Sequence, residues 1–358
     1  MSRFALDCAV SRPVSDRTAQ WLDTAVRRAW AIPTAGHHEG KTASALLDQS
    51  ATTMAEVVGA RSAWFTPDAS SAVVSAIDDL LPGPVCVATT ATDAVVLQEA
   101  SATVAHDNGL SHRIVAVGPD GRVAAGALAK LPSPCVLVTA VGNQEIGVLQ
   151  ADLGRWAART ASQVVLDAST ALGWTPLPGT WDRLILDART WSGVGGAVAV
   201  CSRQARRAPR PFDNVPAAVV AGLAAEQWVH TAPGVVDEVR RRTIRIRTQV
   251  SDRLNGVEVR GGTPEALPQI LSISILYVDA EAVQTRLDCL GYAVGSGSAC
   301  ASRAGEPSHV LAAVGGFTSG NVRLGLTPEI DDAAVDGFVD ALVRVVTEVR
   351  AEMGTLEL

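Results

Sequence analysis

The stretch Asp182-Arg183-Leu184-Ile185-Leu186-Asp187-Ala188-Arg189-Thr190-Trp191-Ser192-Gly193 shows the pattern that decides the fold. Its apolar residues 183–186 predict a buried strand, the glycine-rich residues 193–196 predict a turn, and residues 197–201 predict a second strand. Short apolar strands of this kind recur upstream, separated by longer amphipathic segments. This alternation is typical of a mostly parallel sheet with helices on both faces, so the sequence predicts an α/β fold.

Seven such strands fall within residues 36–230 and predict one large domain. They cover residues 63–65, 85–88, 113–117, 135–139, 164–167, 183–186 and 197–201. The helices predicted between them cover residues 44–58, 70–80, 94–107 and 151–161. Beyond residue 230 the pattern changes to a polar helix at 240–253, strands at 257–260 and 270–275, and helices at 280–290 and 331–351. Residues 1–35 and 231–358 are therefore predicted to form a smaller α+β domain.

Composition indicates a soluble globular protein, because the 358 residues are 47% hydrophobic and carry a net charge of only -7. Arg240-Arg241-Arg242 is too short a basic run to predict nucleic-acid binding, and it is typical of a solvated helix face. No apolar run is long enough for a membrane span, and the first residues lack an apolar signal core. We therefore expect a cytoplasmic protein with neither nucleic acid nor a membrane as partner.

The cysteines and histidines predict neither disulfides nor a metal site. The six cysteines form no C-x-x-C pair, which agrees with a reducing compartment. His37 and His38 are the only adjacent histidines, and neighbouring side chains diverge on any regular element. Lysine is rare, since Lys41 and Lys130 are the only two in the chain.

The segment Gly295-Ser296-Gly297-Ser298-Ala299-Cys300-Ala301-Ser302 surrounds one cysteine with small residues. Small neighbours leave the backbone free to move and the thiol uncovered, as a nucleophile that moves between two reaction partners requires. The alternative is a structural cysteine in a turn.

This segment resembles the persulfide-forming loop of the cysteine desulfurases, a family of the class V aminotransferase group. Three other segments are similar to that family: Asn143-Gln144-Glu145-Ile146-Gly147, Val165-Leu166-Asp167-Ala168 and Asn321-Val322-Arg323-Leu324-Gly325. The resemblance implies the PLP-transferase fold type I, with pyridoxal phosphate (PLP) as cofactor, and a dimer with a large interface.

The resemblance also implies a role for each matching residue. Cys300 matches the cysteine that leaves with sulfur as a persulfide, and Asn143 lies in the loop near the substrate and the cofactor. Asp167 matches the carboxylate that faces the pyridine nitrogen and keeps it protonated. Arg323 matches the arginine that binds the substrate carboxylate by a two-point ion pair, although alone it could be a surface ion-pair residue.

The departures from the family pattern concentrate on the cofactor. Thr190 stands where the resemblance places the lysine that holds PLP as an imine, and a hydroxyl cannot form an imine. Thr92 falls near the family's stacking histidine, and Thr170 replaces a glutamine. At the phosphate position, Ser70 and Ser71 could still donate hydrogen bonds.

Two further departures concern the phosphate. Asp68 precedes the two serines and would repel an anion, although it also suits a helix N-cap. A loop that reaches the neighbouring subunit's phosphate in the family is missing after Cys201. We therefore expect covalent PLP binding to be lost and no cofactor to be retained.

These observations predict a desulfurase-like pseudoenzyme with one of two roles. It could be a subunit that pairs with itself or with a related desulfurase, or a carrier that passes a persulfide from Cys300 to a sulfur-acceptor protein. The alternative is an active PLP-dependent cysteine desulfurase in which Lys41, Lys130 or a partner's lysine replaces the usual one.

Overall fold

A computed structural model describes residues 3–124, 126–209, 211–296 and 307–354. Its strands are β1 (Phe4–Ala5), β2 (Ser62–Thr66), β3 (Cys86–Thr90), β4 (Ser111–Val115), β5 (Cys135–Ala140), β6 (Gln163–Asp167), β7 (Arg183–Asp187), β8 (Val198–Ser202), β9 (Val257–Gly261), β10 (Ile270–Ile275), β11 (Tyr292–Ala293) and β12 (Asn321–Gly325). Its helices are α1 (Asp16–Arg28), α2 (His38–Val57), α3 (Ala69–Asp78), α4 (Val95–Asp107), α5 (Gly154–Thr160), α6 (Val215–Thr231), α7 (Val236–Arg253), α8 (Ala280–Cys289), α9 (His309–Ala313) and α10 (Asp332–Glu352).

The large sheet has seven strands in the order β2-β8-β7-β6-β5-β3-β4. Strands β4, β3, β5, β6 and β7 pair in parallel, whereas β8 is antiparallel to both β7 and β2. The prediction of a mostly parallel seven-stranded α/β sheet is therefore confirmed. Five of the predicted strands agree with the observed ones to within one residue at either end, β3 begins one residue and ends two residues later than expected, and β4 begins and ends two residues earlier.

Helices cover both faces of this sheet because the central strands are apolar on both sides. One face packs Val87, Val136, Val165 and Ile185 against buried residues of α3 and α4. The other face packs against α2, α5 and α6 in the main core of the molecule. Helix α1 lies against α6 and α2. Burial on both faces explains why the strands show continuous apolar runs in the sequence.

A second, smaller sheet follows in the order β12-β10-β9, and all its pairs are antiparallel. Strand β1 pairs in parallel with β11, and Leu6 accepts a backbone hydrogen bond from Gly325 N of β12. The N-terminal strand therefore packs with the C-terminal elements rather than with the large sheet.

Ion pairs join helices α7 and α10. Arg242, only 7% exposed, pairs with Asp332, while Arg245 pairs with Asp336 and Arg253 with Asp340. The basic run predicted to be a solvated helix face thus lies on a helix that contacts another helix through charge pairs.

A buried ion pair fixes α3 to the large sheet. The guanidinium of Arg183, in β7, is 1% exposed and donates to Asp79, the residue at the C-terminal end of α3. Arg206 approaches the same carboxylate from outside at 3.5 Å. Asp79 therefore neutralises a cation that is otherwise sealed in the apolar layer between α3 and β7.

No helix within the described part of the chain is long and apolar enough to cross a membrane. The same residues contain no cluster of three or more histidine, cysteine or acidic side chains suited to a metal ion.

Candidate functional site

Polar residues from five strands meet at one edge of the large sheet. Strands β2, β3, β5, β6 and β7 all point their carboxyl ends to this edge, which in open α/β sheets is where ligands bind. The segments just beyond the strand ends carry the residues singled out in the sequence: Ser70, Ser71, Thr92, Asn143, Asp167, Thr170 and Thr190. Distant parts of the chain thus come together at this edge.

Thr190 lies in a short 3-10 turn that follows β7, and its side chain is bonded locally. The hydroxyl lies 2.6 Å from the carbonyl oxygen of Ser169 and 2.8 Å from that of Asp187, and its single proton is shared between them. The residue is 7% exposed. Thr190 therefore ties the end of β7 to the segment after β6, and its polar group is used inside the protein.

Asp167 ends β6 as a half-buried carboxylate. It accepts a hydrogen bond from Ser169 N at 2.9 Å. Burial raises the pKa of Asp167, the hydrogen bonds from Ser169 oppose that rise, and the charge of Asp187 adds to it. The Ser169 hydroxyl in turn accepts from Asp187 N at 2.9 Å, so Ser169 holds together the two carboxylate-bearing strand ends.

Asn143 is fully engaged in shaping the loop after β5. Its amide nitrogen donates to the carbonyl oxygen of Thr92 at 2.6 Å, and its amide oxygen accepts from Glu145 N and Ile146 N, each at 2.8 Å. Thr92 is 1% exposed, and its hydroxyl lies 3.3 Å from that of Thr90. Position 92 therefore carries a hydroxyl group and not an aromatic ring.

Asp93, which sequence reasoning missed, is the most deeply buried carboxylate of the edge. It accepts from Thr139 Oγ1 and Ala140 N, both at 2.9 Å, and from Thr90 N at 2.7 Å. Burial raises its pKa to about 6 despite these bonds. A carboxylate that accepts three hydrogen bonds from β3 and β5 fixes the relative position of those strand ends.

Glu145 and Ser308 connect the edge to the segment that begins at residue 307. The Ser308 hydroxyl donates to Glu145 Oε1 at 2.5 Å, and His309 Nε2 lies 2.9 Å from the carbonyl oxygen of Asp93. Burial raises the pKa of Glu145, while the Ser308 hydrogen bond and the nearby charge of Arg323 act in the opposite direction. Glu145 stands in one of the segments quoted from the sequence, but only the fold brings it into contact with Ser308.

The N-terminus of α3 carries Ser70 and Ser71, with Asp68 as its cap. Asp68 accepts a hydrogen bond from Ser71 N at 2.7 Å, as expected for an N-cap residue. The two serines line a cavity of about 430 Å³ whose walls include Phe65 and Phe212. A carboxylate therefore already occupies part of the positive end of this helix.

Arg323 lies in the middle of β12 and is 2% exposed. Its guanidinium donates to Asp7 Oδ1 at 2.8 Å. Gln269, the residue before β10, donates from Nε2 to the Thr170 carbonyl oxygen at 2.8 Å, and this bond links the start of β10 to the edge. The small sheet is thus joined to the large one beside the candidate site.

Cys300 lies outside the described residues. The two lysines are both exposed: Lys41 in the first turn of α2, and Lys130 in the connection that leads to the amino end of β5. Among the residues that the structure describes, neither lysine forms a hydrogen bond with the carboxyl edge of the sheet.

Comparisons with known proteins agree with the fold. The model of the aminotransferase class-V family matches residues 182–338. A cysteine desulfurase from Bradyrhizobium diazoefficiens is 30% identical over 267 residues, which are 68% of this chain and 67% of the relative. A cysteine desulfurase from Trichormus azollae is 33% identical over 143 residues, 39% of this chain, so the match spans only 36% of that relative's length. A solved NifS-like protein shares the fold, with a TM-score of 0.81 at 21% identity, covering 97% of this chain and 100% of its own.

The sheet order and the cluster of polar residues at its carboxyl edge, together with these matches, define a protein of the class-V aminotransferase type. Within that class, the chain belongs to the cysteine desulfurase family.

The family implies PLP as cofactor, and the residues of the edge fit it only in part. Asp167 is placed as a carboxylate at a strand end, as a pyridine nitrogen requires. The other requirements are not met: Thr190 offers a hydroxyl already bonded to two carbonyl groups, and Asp68 adds negative charge at the helix N-terminus. The residues therefore do not fit a cofactor held as an imine at position 190.

Proposed function

We propose that this chain is a member of the cysteine desulfurase family that does not hold PLP as an imine and that works in sulfur transfer with a partner protein. The observation that carries the proposal is the bonding of Thr190. A residue at this position must present a free amine to the site to hold the cofactor, and Thr190 instead directs its hydroxyl to the carbonyl groups of Ser169 and Asp187.

The surroundings of Thr190 support the same proposal. Thr92 supplies no aromatic ring on which a cofactor could stack, and Asp68 disfavours a phosphate dianion at α3. Each loss weakens binding by on the order of one to a few kcal/mol, so together they lower the affinity by several orders of magnitude. A single change could be compensated by a neighbour, but these changes surround the same small molecule.

The first experiment tests for an imine directly. Purified protein is mixed with PLP, reduced with borohydride and digested, and the peptides that contain Lys41 and Lys130 are examined by mass spectrometry. We expect no reduced adduct and no sulfide release from L-cysteine. An adduct on either lysine, together with sulfide release that its replacement by arginine abolishes, would instead support an active desulfurase with a non-standard lysine.

The variant Thr190→Lys separates the loss of the amine from the loss of the rest of the site. We expect this variant alone to remain inactive, because Asp68 and Thr92 are unchanged. Restored sulfide release from Thr190→Lys would show that the remaining residues still bind the cofactor.

Within this proposal the chain has two modes of action. As a partner subunit, it pairs with a second copy or with a related desulfurase. As a carrier, Cys300 receives sulfur by exchange with a partner's persulfide. In that exchange the Cys300 sulfur attacks the terminal sulfur, the partner's sulfur–sulfur bond breaks, and the partner leaves as a thiol. No net oxidation occurs, and no cofactor is needed.

Labelled L-cysteine and an active desulfurase distinguish the two modes. A carrier accumulates label on Cys300 that a reductant removes, and the Cys300→Ser variant accumulates none. Cys289 is the matched control because it is an exposed thiol on α8, and Cys289→Ser is expected to label like the unchanged protein. Equal labelling of Cys300→Ser would eliminate the carrier mode.

The subunit mode is tested by isolating the chain from its native host and measuring the mass of the complex. We propose a homodimer or a heterodimer in the cytoplasm, which agrees with the absence of any disulfide among the described residues. Recovery of the chain as a monomer, with no associated desulfurase or sulfur acceptor, would contradict this mode.

A further inference from the structure

Two buried cysteines face each other across neighbouring strands of the large sheet. Cys86 is the first residue of β3, Cys135 is the first residue of β5, and the two are paired in the parallel register of these strands. Their sulfur atoms lie 3.0 Å apart, and both residues are 0% exposed. The pair lies at the amino edge of the sheet, away from the carboxyl edge that carries the candidate site.

The backbone already suits a covalent bond between these residues. Neighbouring strands lie about 4.8 Å apart, and disulfides accept Cα separations of about 4.4–6.8 Å. Both side chains belong to the same core cluster, so they point to the same face of the sheet. No rearrangement of the strands is needed to join the two sulfur atoms.

We propose that Cys86 and Cys135 are a redox-active pair that hydrogen peroxide converts to a disulfide within the folded protein. The inference is independent of the proposed function, because it concerns the opposite edge of the sheet. Peroxide is the oxidant because it is close to water in size, and a pair that is 0% exposed admits only a small molecule during local opening of the strands.

The route to the pair follows its position in the fold. Val85, the residue before Cys86, is 47% exposed, and its N–H donates to the carbonyl oxygen of Pro134, the residue before Cys135. This bond and the bond from Cys135 N to Ser162 Oγ at 3.0 Å close the amino ends of the two strands, and their local opening gives peroxide access to the sulfur atoms. The reaction is slow near neutral pH, because burial and the neighbouring thiol raise the pKa of Cys135 and so keep it protonated.

The chemistry balances in two steps. One sulfur, as thiolate, attacks a peroxide oxygen, the oxygen–oxygen bond breaks, and the departing hydroxide takes up a proton to become water. The second sulfur then attacks the resulting sulfenic acid, the sulfur–oxygen bond breaks, and a second water leaves. The two thiols lose two electrons and two protons, and one peroxide is reduced to two waters.

Other buried thiols provide internal controls. Cys201 is also 0% exposed, but its sulfur contacts the carbonyl oxygen of Met54 at 3.7 Å and not a second thiol. Cys8, 4% exposed, likewise contacts a carbonyl oxygen, that of Ala5. Neither residue has a second sulfur beside it among the residues that the structure describes, so we expect neither to complete the second step.

The experiment uses the intact chain. Folded protein is treated with hydrogen peroxide, unreacted thiols are alkylated after denaturation, and the protein is digested with trypsin. Cleavage after arginine and lysine leaves Cys86 alone in the peptide 62–113 and Cys135 alone in the peptide 131–155. We expect these two peptides to be recovered as one linked species that a reductant separates, with Cys201 recovered as an alkylated thiol.

Recovery of Cys86 and Cys135 as alkylated thiols, under conditions that oxidise exposed Cys289, would overturn the proposal. A linked peptide that forms only after the protein has unfolded, as judged by circular dichroism during the reaction, would also overturn it.

The melting temperature gives a second measurement. The oxidised protein should melt at a higher temperature, because the new bond restricts the unfolded chain between residues 86 and 135. In the Cys86→Ser variant, peroxide should leave the melting temperature unchanged.

Discussion

The guanidinium of Arg323 and the carboxylate of Asp7 lie 2.8 Å apart, so the cation matched to substrate binding in the family is already paired within this chain. Arg323 is 2% exposed, and the side chain of Asp7 is 40% exposed. The pair joins the N-terminal segment to β12 next to the candidate site.

Replacing Asp7 by asparagine is expected to lower the free energy of unfolding by about 1–3 kcal/mol, because it removes a negative partner of a buried guanidinium. Urea unfolding at neutral pH measures the change. The matched control is Asp288→Asn, which removes an exposed pair with Arg3 and should cost less than about 1 kcal/mol. Equal costs for the two variants would show that Asp7 does not stabilise the buried charge.

Replacing Thr190 by valine is expected to lower the free energy of unfolding by about 1–3 kcal/mol, because two buried carbonyl groups lose their shared donor. Thr190→Ser keeps the hydroxyl and loses one methyl group, so it should cost under about 1 kcal/mol. Chemical denaturation of both variants tests the role of the hydroxyl. A serine variant as unstable as the valine variant would mean that packing, and not hydrogen bonding, holds this residue.

Replacing Asp79 by asparagine should be the most destabilising of these changes, at about 3–5 kcal/mol, because it leaves the guanidinium of Arg183 buried without a counter-charge. Arg206→Gln removes only the outer cation, whose side chain is 43% exposed, and should cost less than about 1 kcal/mol. Thermal and urea unfolding compare the two. The ion pair would have no structural role if Asp79→Asn unfolded with the same midpoint as the unchanged protein.

The raised pKa of Asp93 predicts that the free energy of unfolding falls as the pH rises through the weakly acidic range. Its pKa is about 6 in the folded protein against 3.8 for the free side chain, so folding favours the protonated form. The contribution of Asp93 to the free energy of unfolding is therefore greatest below about pH 4. It decreases as the pH rises towards 6 and stays at its lower value above that pH. A shift of about two pKa units corresponds to about 3 kcal/mol.

The variant Asp93→Asn isolates this effect because its side chain stays neutral. The unfolding free energy of the unchanged protein minus that of the variant should decrease by about 3 kcal/mol between about pH 4 and pH 7. Asp23 gives the opposite sign, since its hydrogen bond with Arg27 lowers its pKa, and the same difference for Asp23→Asn should not decrease with pH. A flat difference for Asp93→Asn would contradict a raised pKa in the folded state.

Much of the fold was predictable from the sequence because buried strands are continuous apolar runs. Strands β5, β6 and β7 are apolar on both faces, and their bounds agree with the prediction to within a residue. Strand β4 was misplaced by two residues because it lies at the sheet edge and begins with the polar residues Ser111 and His112, which do not continue an apolar run. Its position is set by pairing with β3, which the local sequence does not encode.

The positions of site residues could be predicted where they stand at or soon after the end of a strand. They could not be predicted where contacts between residues far apart in the sequence determine the arrangement. Asp167 and Thr190 could be placed because the first ends an apolar strand and the second comes three residues after the end of another. The bonds from Asp93 to Thr139, and from Glu145 to Ser308, join residues 46 and 163 positions apart, and no periodicity relates them. The sequence also gave no sign that Asn143 would use its whole side chain on the backbone of its own loop and of Thr92.

The pairing of β1 with β11, and of Leu6 with Gly325, has a consequence for biosynthesis. Residues 4–6 leave the ribosome first among these partners, and Tyr292, Ala293 and Gly325 leave it much later. The central sheet can fold during translation, whereas β1 must wait, with its backbone groups solvated, until residues 291–325 have emerged. Closure of the smaller sheet around that strand is thus a late event in the maturation of the protein.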